Sequence, residues 1–451
     1  MHFSIAAALL LSTLGGCRSS PPPNIVVYVV DTLRADALHC YGNPAVQTPA
    51  FDRLAAAGTR FERAYANASW TRASMGSLLT GEYPSTHGAV GRMDSLRQDM
   101  PSLPTLLRQR GYRTAAIIAN PNVGRAFGFA KGFDDFTELY QPQEGVRPIL
   151  PQELIAAGDR VVEAAISWLN ENRHKPFFLL VFSIDPHAPY TPPAPYDKRY
   201  DPDYSGSIDG SLKSMLGLGV FGMIPPEREI RHLRGLYDGE VAFNDMQFGR
   251  LLDTLERLEL ADESVVIATS DHGEEFYEHG ARDHGHSLYE ELIRVPLIVR
   301  WPHRVEIQTY SQPVQLADLF PTLLRLGSTD APPVAGRDIS PALLGGRPMD
   351  SEAYAELDLE THHFRALIRK TDKVIVAAPQ SPPQYFDLLA DPHELQPHQA
   401  ASQGDLLKRL DDLTRSAQQK RPSEVRASVK LPDAARQAME ALGYVSATPD
   451  R

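Results

Sequence analysis

The chain has 451 residues, 42% of them hydrophobic and 23% charged, enough for one large α/β domain and a smaller one. Its formal net charge of −12, with no basic, aromatic-interleaved patch, argues against a general polyanion binder, so no nucleic-acid partner is expected. An acidic surface still admits a local positive site, and a bound cation is the simplest way to make one.

Residues 3–14 are apolar, of signal-peptide length and too short to cross a bilayer with ease. They lead into Leu14-Gly15-Gly16-Cys17, which resembles a bacterial lipobox. On that pattern residues 1–16 are a signal peptide, Cys17 carries lipid, and the prolines at 21–23 form a stiff tether. The expectation is a bacterial cell-envelope protein joined to the membrane by its lipid anchor, with Arg18 after the cysteine favouring the outer membrane, periplasmic side. His2 is the only chargeable side chain ahead of the apolar run, so an ordinary signal peptide with an incidental cysteine is the alternative. With Cys17 lipidated, Cys40 has no intramolecular partner and reads as a small buried hydrophobe.

Asn24–Val30 (NIVVYVV) is a β-branched run that reads as a buried strand and ends in Asp31. Amphipathic helices are expected at 49–57 and 102–110, a short buried strand at 114–119, and a helix at 157–172. Residues 177–184 (FFLLVFSI) form a third strand-like run, which ends in Asp185-Pro186-His187. Residues 195–224 have little period and read as a long loop, a candidate lid. A long helix follows at 237–258, and then Ser264–Ser270 (SVVIATS) runs straight into Asp271-His272-Gly273. Residues 294–299 read as a strand and 316–326 as a helix interrupted by Pro321. Pro- and Gly-rich sequence at 331–348 marks a domain boundary, giving a catalytic domain at 24–345 and a C-terminal subdomain at 346–451. Within the latter, short strands are expected at 366–368, 373–377 and 385–387, and a helix at 406–416.

Alternation of strand-like and helix-like segments argues for an α/β fold with a largely parallel sheet. Acidic and imidazole groups at the ends of such strands converge on one edge of the sheet, where open α/β folds bind ligands. Carboxylates with an imidazole suit a divalent cation, so Asp31, Asp271 and His272 are the candidate metal ligands. These residues point to a metal-dependent hydrolase or transferase acting on a small anionic ester.

A family pattern overlies these elements. Asp31-Thr-Leu-Arg-Ala-Asp36 with Cys40-Tyr-Gly42, then Thr48-Pro49-Ala-Phe51-Asp52-Arg-Leu54, resembles the opening of the sulfatase family within the alkaline phosphatase superfamily. Ser77-Leu-Leu-Thr-Gly81-Glu-Tyr-Pro84-Ser-Thr-His87-Gly88 is similar to the stretch that follows that family's nucleophile. Gly111-Tyr112-Arg-Thr114, Asp185-Pro-His187-Ala-Pro189-Tyr190, Ser270-Asp271-His272-Gly273-Glu274 and Ile293-Arg294-Val295-Pro296-Leu297 continue it in order. Tyr385-Phe386-Asp387-Leu388 with Asp391-Pro392 resembles its C-terminal domain. The resemblance implies an alkaline-phosphatase-like α/β/α sandwich, with a large mixed, mainly parallel sheet and a smaller C-terminal α+β domain. It also implies one divalent metal ion (Mn, Zn, Mg or Ca), with a second left open.

The departures bear on the chemistry. The family's nucleophile position, Cys or Ser in Cys/Ser-x-Pro-x-Arg, falls on Thr71, with Ala73 and Met75 at the Pro and Arg positions. Threonine cannot take the known route to formylglycine. Thr32 replaces a second Asp, His272 an Asn, and the Lys-Trp-His segment falls on Ala119-Asn120-Pro121. A threonine with an Asp-His pair is the pattern of nucleotide pyrophosphatase/phosphodiesterase-like enzymes and phosphoglycerol transferases. The resemblance therefore implies Thr71 as nucleophile, its pKa lowered by the cation. The alternative is that Thr71 is an ordinary helix N-cap. The small residues Ala73, Ser74, Gly76 and Ser77 would let the backbone approach a phosphate. His187 would bind a substrate oxygen or protonate the leaving group. His284 or His286 would take the place of an anion-contacting lysine or, with His279, support a second metal. Arg72 would clamp an oxyanion, and His87 reads as structural. Phosphoester cleavage is the main expectation. Sulfate-ester hydrolysis with Thr in place of formylglycine is the alternative, and an inactive binding lipoprotein is a second.

Overall fold

The computed structural model describes residues 22–140, 157–216, 218, 224–347, 349–377, 381–398, 404–421 and 429–444. The expected signal segment and Cys17 lie outside these residues. Asn24–Val30, Phe177–Ser183 and Ser264–Ser270 are buried over their whole length. That is why they read as unbroken apolar runs: a parallel strand covered on both faces has no polar side to show. They are three central strands of an eight-stranded sheet in the order Gln308–Tyr310, Thr59–Phe61, Leu297–Arg300, Ser264–Ser270, Asn24–Val30, Phe177–Ser183, Arg113–Ile118, Asp135–Glu138. The five from Ser264–Ser270 to Asp135–Glu138 are mutually parallel, and Leu297–Arg300 runs against them. The expected alkaline-phosphatase-like α/β/α fold is therefore present.

Two helical layers cover the sheet. Pro49–Ala56, Gly158–Asn172 and Glu227–Arg257 pack on one another, as do Thr71–Thr80, Leu103–Gln109 and Leu319–Leu326. A second, antiparallel sheet follows in simple meander order: Glu352–Leu359, His362–Arg369, Asp372–Ala377, Gln384–Asp387. Its apolar residues Ala353, Leu357, Ile368 and Phe386 join the main core, so the smaller part has no separate interior on that side. The helix Gly404–Gln419 packs on its other side.

Several expectations need correction. The run 294–299 is two strands, because Pro296 has no N–H to continue a ladder. Arg294–Val295 pairs with Ala64–Tyr65, while Leu297–Arg300 enters the large sheet. Pro321 does not interrupt its helix; it lies in the first turn of Leu319–Leu326, where backbone N–H groups have no intrahelical acceptor. The long helix begins ten residues earlier than expected, at Glu227. In the candidate lid, Asp201 is tied to that helix by Arg228 (2.5 and 2.9 Å) and His232 (2.8 Å), so this part of the loop is fastened down. No helix among the described residues is long and apolar enough to cross a membrane.

Candidate active site

Register sets the site. Val30 lies opposite both Ser270 and Ser183, so Asp31 and Asp271 leave the sheet side by side at the C-terminal edge of its parallel strands. The chain turns there through Thr32, a β-branched residue held at φ 55°, where strain costs about 1–3 kcal/mol. The backbone N–H of Thr32 donates to Asp271 Oδ1 (3.2 Å), as does that of His272 (2.9 Å). Asn120, at the end of the next strand but one, donates to Asp31 Oδ2 (2.5 Å). Each carboxylate thus has one oxygen satisfied. The other oxygens, Asp31 Oδ1 and Asp271 Oδ2, are buried without a hydrogen-bond partner.

His272 completes the group. Its Nδ1–H donates to the Gly273 carbonyl (2.9 Å), which fixes the tautomer and leaves Nε2 as an acceptor. That nitrogen lies 3.3 Å from Asp271 Oδ2 and 3.9 Å from Asp31 Oδ1. Gly273 has no freedom to carry a side chain, since a Cβ would fall 2.0 Å from the Glu291 carbonyl. Among the described residues this is the one Asp/His group whose ligand atoms all lie within 4.8 Å of one another. Two bare carboxylate oxygens and one imidazole lone pair, all fully buried, fit a divalent cation. Burial first, and then the adjacent Asp271, pushes Asp31 well above the usual carboxylate range; burial raises Asp271 against the pull of His272. A cation would reverse both.

Thr71 opens the helix Thr71–Thr80 and is fully buried. The residue in the capping position is Trp70, and no side chain caps this end. The Thr71 hydroxyl instead donates to His272 Nε2 at 3.1 Å, which sets aside the N-cap alternative. The helix stops at Gly81, whose φ of 70° few other residues tolerate. The small residues behind Thr71 do not open a path for an anion. Ser74 donates to the Asp271 carbonyl (2.6 Å), and Gly76 makes room for the His87 ring, 2.4 Å from where a Cβ would be. His87, buried and donating to the Ala73 carbonyl (2.9 Å), braces the helix as expected.

The other histidines divide. His187 Nδ1–H donates to the Ala188 carbonyl (2.6 Å), and burial pulls its pKa down to about 3. Its Nε2 is therefore an acceptor in the neutral ring, a geometry that does not provide the leaving-group proton. His284 lies against His272, ring centroids 4.4 Å apart, and 5.1 Å from His187. Its Nδ1 is held by Glu274 (3.0 Å), which also accepts from Tyr190 (3.0 Å). His286 is not brought to this group: its Nε2 pairs with Glu275 (2.7 Å) and its ring faces His362 at 6.5 Å. His279 pairs with Glu291 (2.7 Å). Three histidines with three separate carboxylates do not assemble the second metal site.

Arg72 also departs from expectation. Consecutive residues on a helix point apart, and its guanidinium turns away from Thr71. It donates to the carbonyls of Gly91 (2.8 Å), Arg92 (2.5 Å) and Asn122 (3.4 Å) and to Asn122 Oδ1 (2.6 Å), stacked over Phe127. It holds the surrounding loops and has no bidentate fork free for an oxyanion. Sequence reasoning missed Asn120, Glu274 and Tyr444. The first two lie two and four residues beyond the strands Arg113–Ile118 and Ser264–Ser270; the third has no local signal.

This strand-end Asp/Asp/His cluster on an α/β/α sandwich fits a metal-dependent hydrolase, and a model of the Sulfatase family matches residues 23–329. The chain belongs to the sulfatase family, in the alkaline phosphatase superfamily, and with its relatives is a hydrolase acting on ester bonds. It is 25% identical to the N-acetylglucosamine-6-O-sulfatase of Bacteroides thetaiotaomicron, over 89% of this chain and 88% of that one. To the arylsulfatase of Clostridium perfringens it is 26% identical, over 83% and 89%. To the multifunctional alkaline phosphatase superfamily protein PehA of Trinickia caryophylli it is 26% identical, over 82% and 90%. The phosphonate monoester hydrolase of Agrobacterium radiobacter shares the fold with a TM-score of 0.71 at 22% identity, over 88% of this chain and 96% of that one.

Proposed function

We propose that the protein cleaves a phosphoester, a diester or a phosphonate monoester, through the Thr71 hydroxyl at a divalent cation held by Asp31, Asp271 and His272. The carrying observation is the 3.1 Å approach of Thr71 to His272 Nε2, where two carboxylate oxygens stand bare. A cation there would lower the pKa of the hydroxyl and hold it in line with phosphorus. Thr71 attacks phosphorus, the bond to the leaving oxygen breaks, and water resolves the resulting phospho-threonine. Charge favours a monoanion. Two carboxylates balance a dication, and no lysine or arginine among the described residues pairs with either of them. His284, oriented by Glu274, and His187 line the same space; His286 and Arg72 do not.

The test is a panel of chromogenic phosphodiesters, phosphonates, phosphate monoesters and sulfates, each with several divalent ions. Preference for a diester or phosphonate supports the reading. A large preference for aryl sulfate moves it to sulfate-ester hydrolysis, which the names of the sulfatase relatives favour. The N-terminal sequence supports a lipid-anchored location in the bacterial envelope; Cys17→Ser is expected to release the protein from the membrane fraction.

A further inference from the structure

The C-terminal segment sends a side chain into the site that the reading above does not use. The helix Asp433–Ala441 packs on the turn Pro121–Val123. The chain leaves it through Gly443, at φ 78°, and Tyr444 turns inward. The residue is 5% exposed, and its ring sits edge-on to Trp70, with centroids 5.2 Å apart. Its carbonyl accepts from Arg92 (2.9 Å), which lies over the Trp70 ring and pairs with Glu360. The phenol donates to His187 Nε2 (2.5 Å) and accepts from Asn120 Nδ2 (3.2 Å), the amide that also holds Asp31. Thr71 directly follows Trp70, the residue against which that ring packs.

Among the described residues the donors around Thr71 are few. His187 and His272 each commit their one proton to a carbonyl, and His284 commits its own to Glu274, so all three turn a lone pair inward. The amide of Asn120 is divided between Asp31 and Tyr444. An anionic ester needs donors for its non-bridging oxygens. The Tyr444 hydroxyl is the group that provides one by simple rotation about its C–O bond. We infer that Tyr444 is a catalytic residue, its hydroxyl donating to a non-bridging oxygen of the ester held at Thr71. The inference rests on the proposed hydrolase reading of that site.

Tyr444→Phe removes one oxygen and keeps the ring. Two readouts follow: kcat/KM on the best substrate of the panel, and the Kd of inorganic phosphate for metal-loaded protein, by calorimetry. Both are expected to weaken by about 10- to 100-fold, the range for a hydrogen bond to a charged group, with metal content unchanged. Tyr444→Ala, which opens the site, is expected to lose at least as much. Unchanged or increased turnover and phosphate affinity in either variant, the behaviour of a filler or a plug, overturns the assignment. Wild-type protein that turns over no ester and binds no phosphate defeats the underlying reading, and this one with it. Active wild type with an equally active Tyr444→Phe defeats the role of Tyr444 alone.

Discussion

Among the described residues, two groups of buried charge are finished in opposite ways. At the junction of the two sheets, fully buried Lys373 pairs with Glu290 (3.0 Å) and Glu394 (2.9 Å), and Glu394 also accepts from the Glu290 backbone (2.6 Å). The chain provides its own cation there. At the sheet edge, Asp31 and Asp271 are buried as deeply with no lysine or arginine among the described residues paired to either, and each turns an oxygen without a hydrogen-bond partner towards His272 Nε2. Buried carboxylates need a positive partner or must stay protonated. The first cluster closes on itself and holds two parts of the fold together. The second has room for a cation from outside, and it is the second that has a hydroxyl beside it.

That contrast is open to mutation. The largest effect is expected from Thr71→Ala: turnover falls by more than about 1,000-fold, as for loss of a nucleophile, while metal content by atomic absorption is retained. Full activity in that variant removes the proposed chemistry. Asp271→Asn is expected to lose stoichiometric metal as well as turnover. Its melting temperature should hold or rise in metal-free buffer, because one of two crowded carboxylates is gone. Lys373→Met is the mirror image. It leaves two buried glutamates facing each other and should cost about 3–5 kcal/mol by denaturant titration, with metal content intact. Loss of metal there, or a large loss of stability from Asp271→Asn, would mean the two clusters are not different in kind. Arg72→Met belongs with the structural side: about 2–4 kcal/mol for the acceptors it abandons, with KM little changed. A selective rise in KM would return Arg72 to the substrate.

The same division explains what could be read from the sequence. Asn24–Val30 and Ser264–Ser270 were legible to the residue, because a strand buried on both faces must be apolar throughout and stops where the first charge appears. Asp31, Asp271 and His272 were legible for the same reason, since they are what the strands stop at. Thr71 was placed by the family motif, not by any local signal. Of the histidines of 279–286 the structure brings His284 to the group and leaves His279 and His286 on other carboxylates, because spacing along a loop says nothing about which carboxylate each one meets. Arg72 was misjudged because its neighbour's role was extended to it, whereas helix geometry sends adjacent residues in different directions. Tyr444 was invisible: its meaning depends on a helix that returns from the far end of the chain to Pro121–Val123. Glu352–Leu359, a strand not expected at all, lies where the apparent domain boundary had drawn attention to turns.

The smallest expected effect tests whether the loop histidines are structural. His279 stacks on Tyr289, ring centroids 3.6 Å apart, and both ring nitrogens have acceptors, Glu291 Oε1 at 2.7 Å and the Glu394 carbonyl at 3.2 Å. Two acceptors call for two N–H groups, so the folded state favours the imidazolium. Burial opposes that charge, but the hydrogen bond to Glu291 and its field prevail and raise the pKa to about 9. A folded-state pKa above the unfolded value of about 6.5 gives stability that is fully present below pH 6.5 and is lost as pH rises through 9. Urea titrations of wild type and His279→Gln are therefore expected to differ most at pH 6 and to converge above pH 9, with kcat the same in both at pH 7. If the gap does not narrow with pH, the ring is held neutral and the ion pair with Glu291 is not what fastens this loop. A fall in kcat with no change in stability would bring His279 back into the chemistry, beside His284 and away from its present place among the braces of the loop.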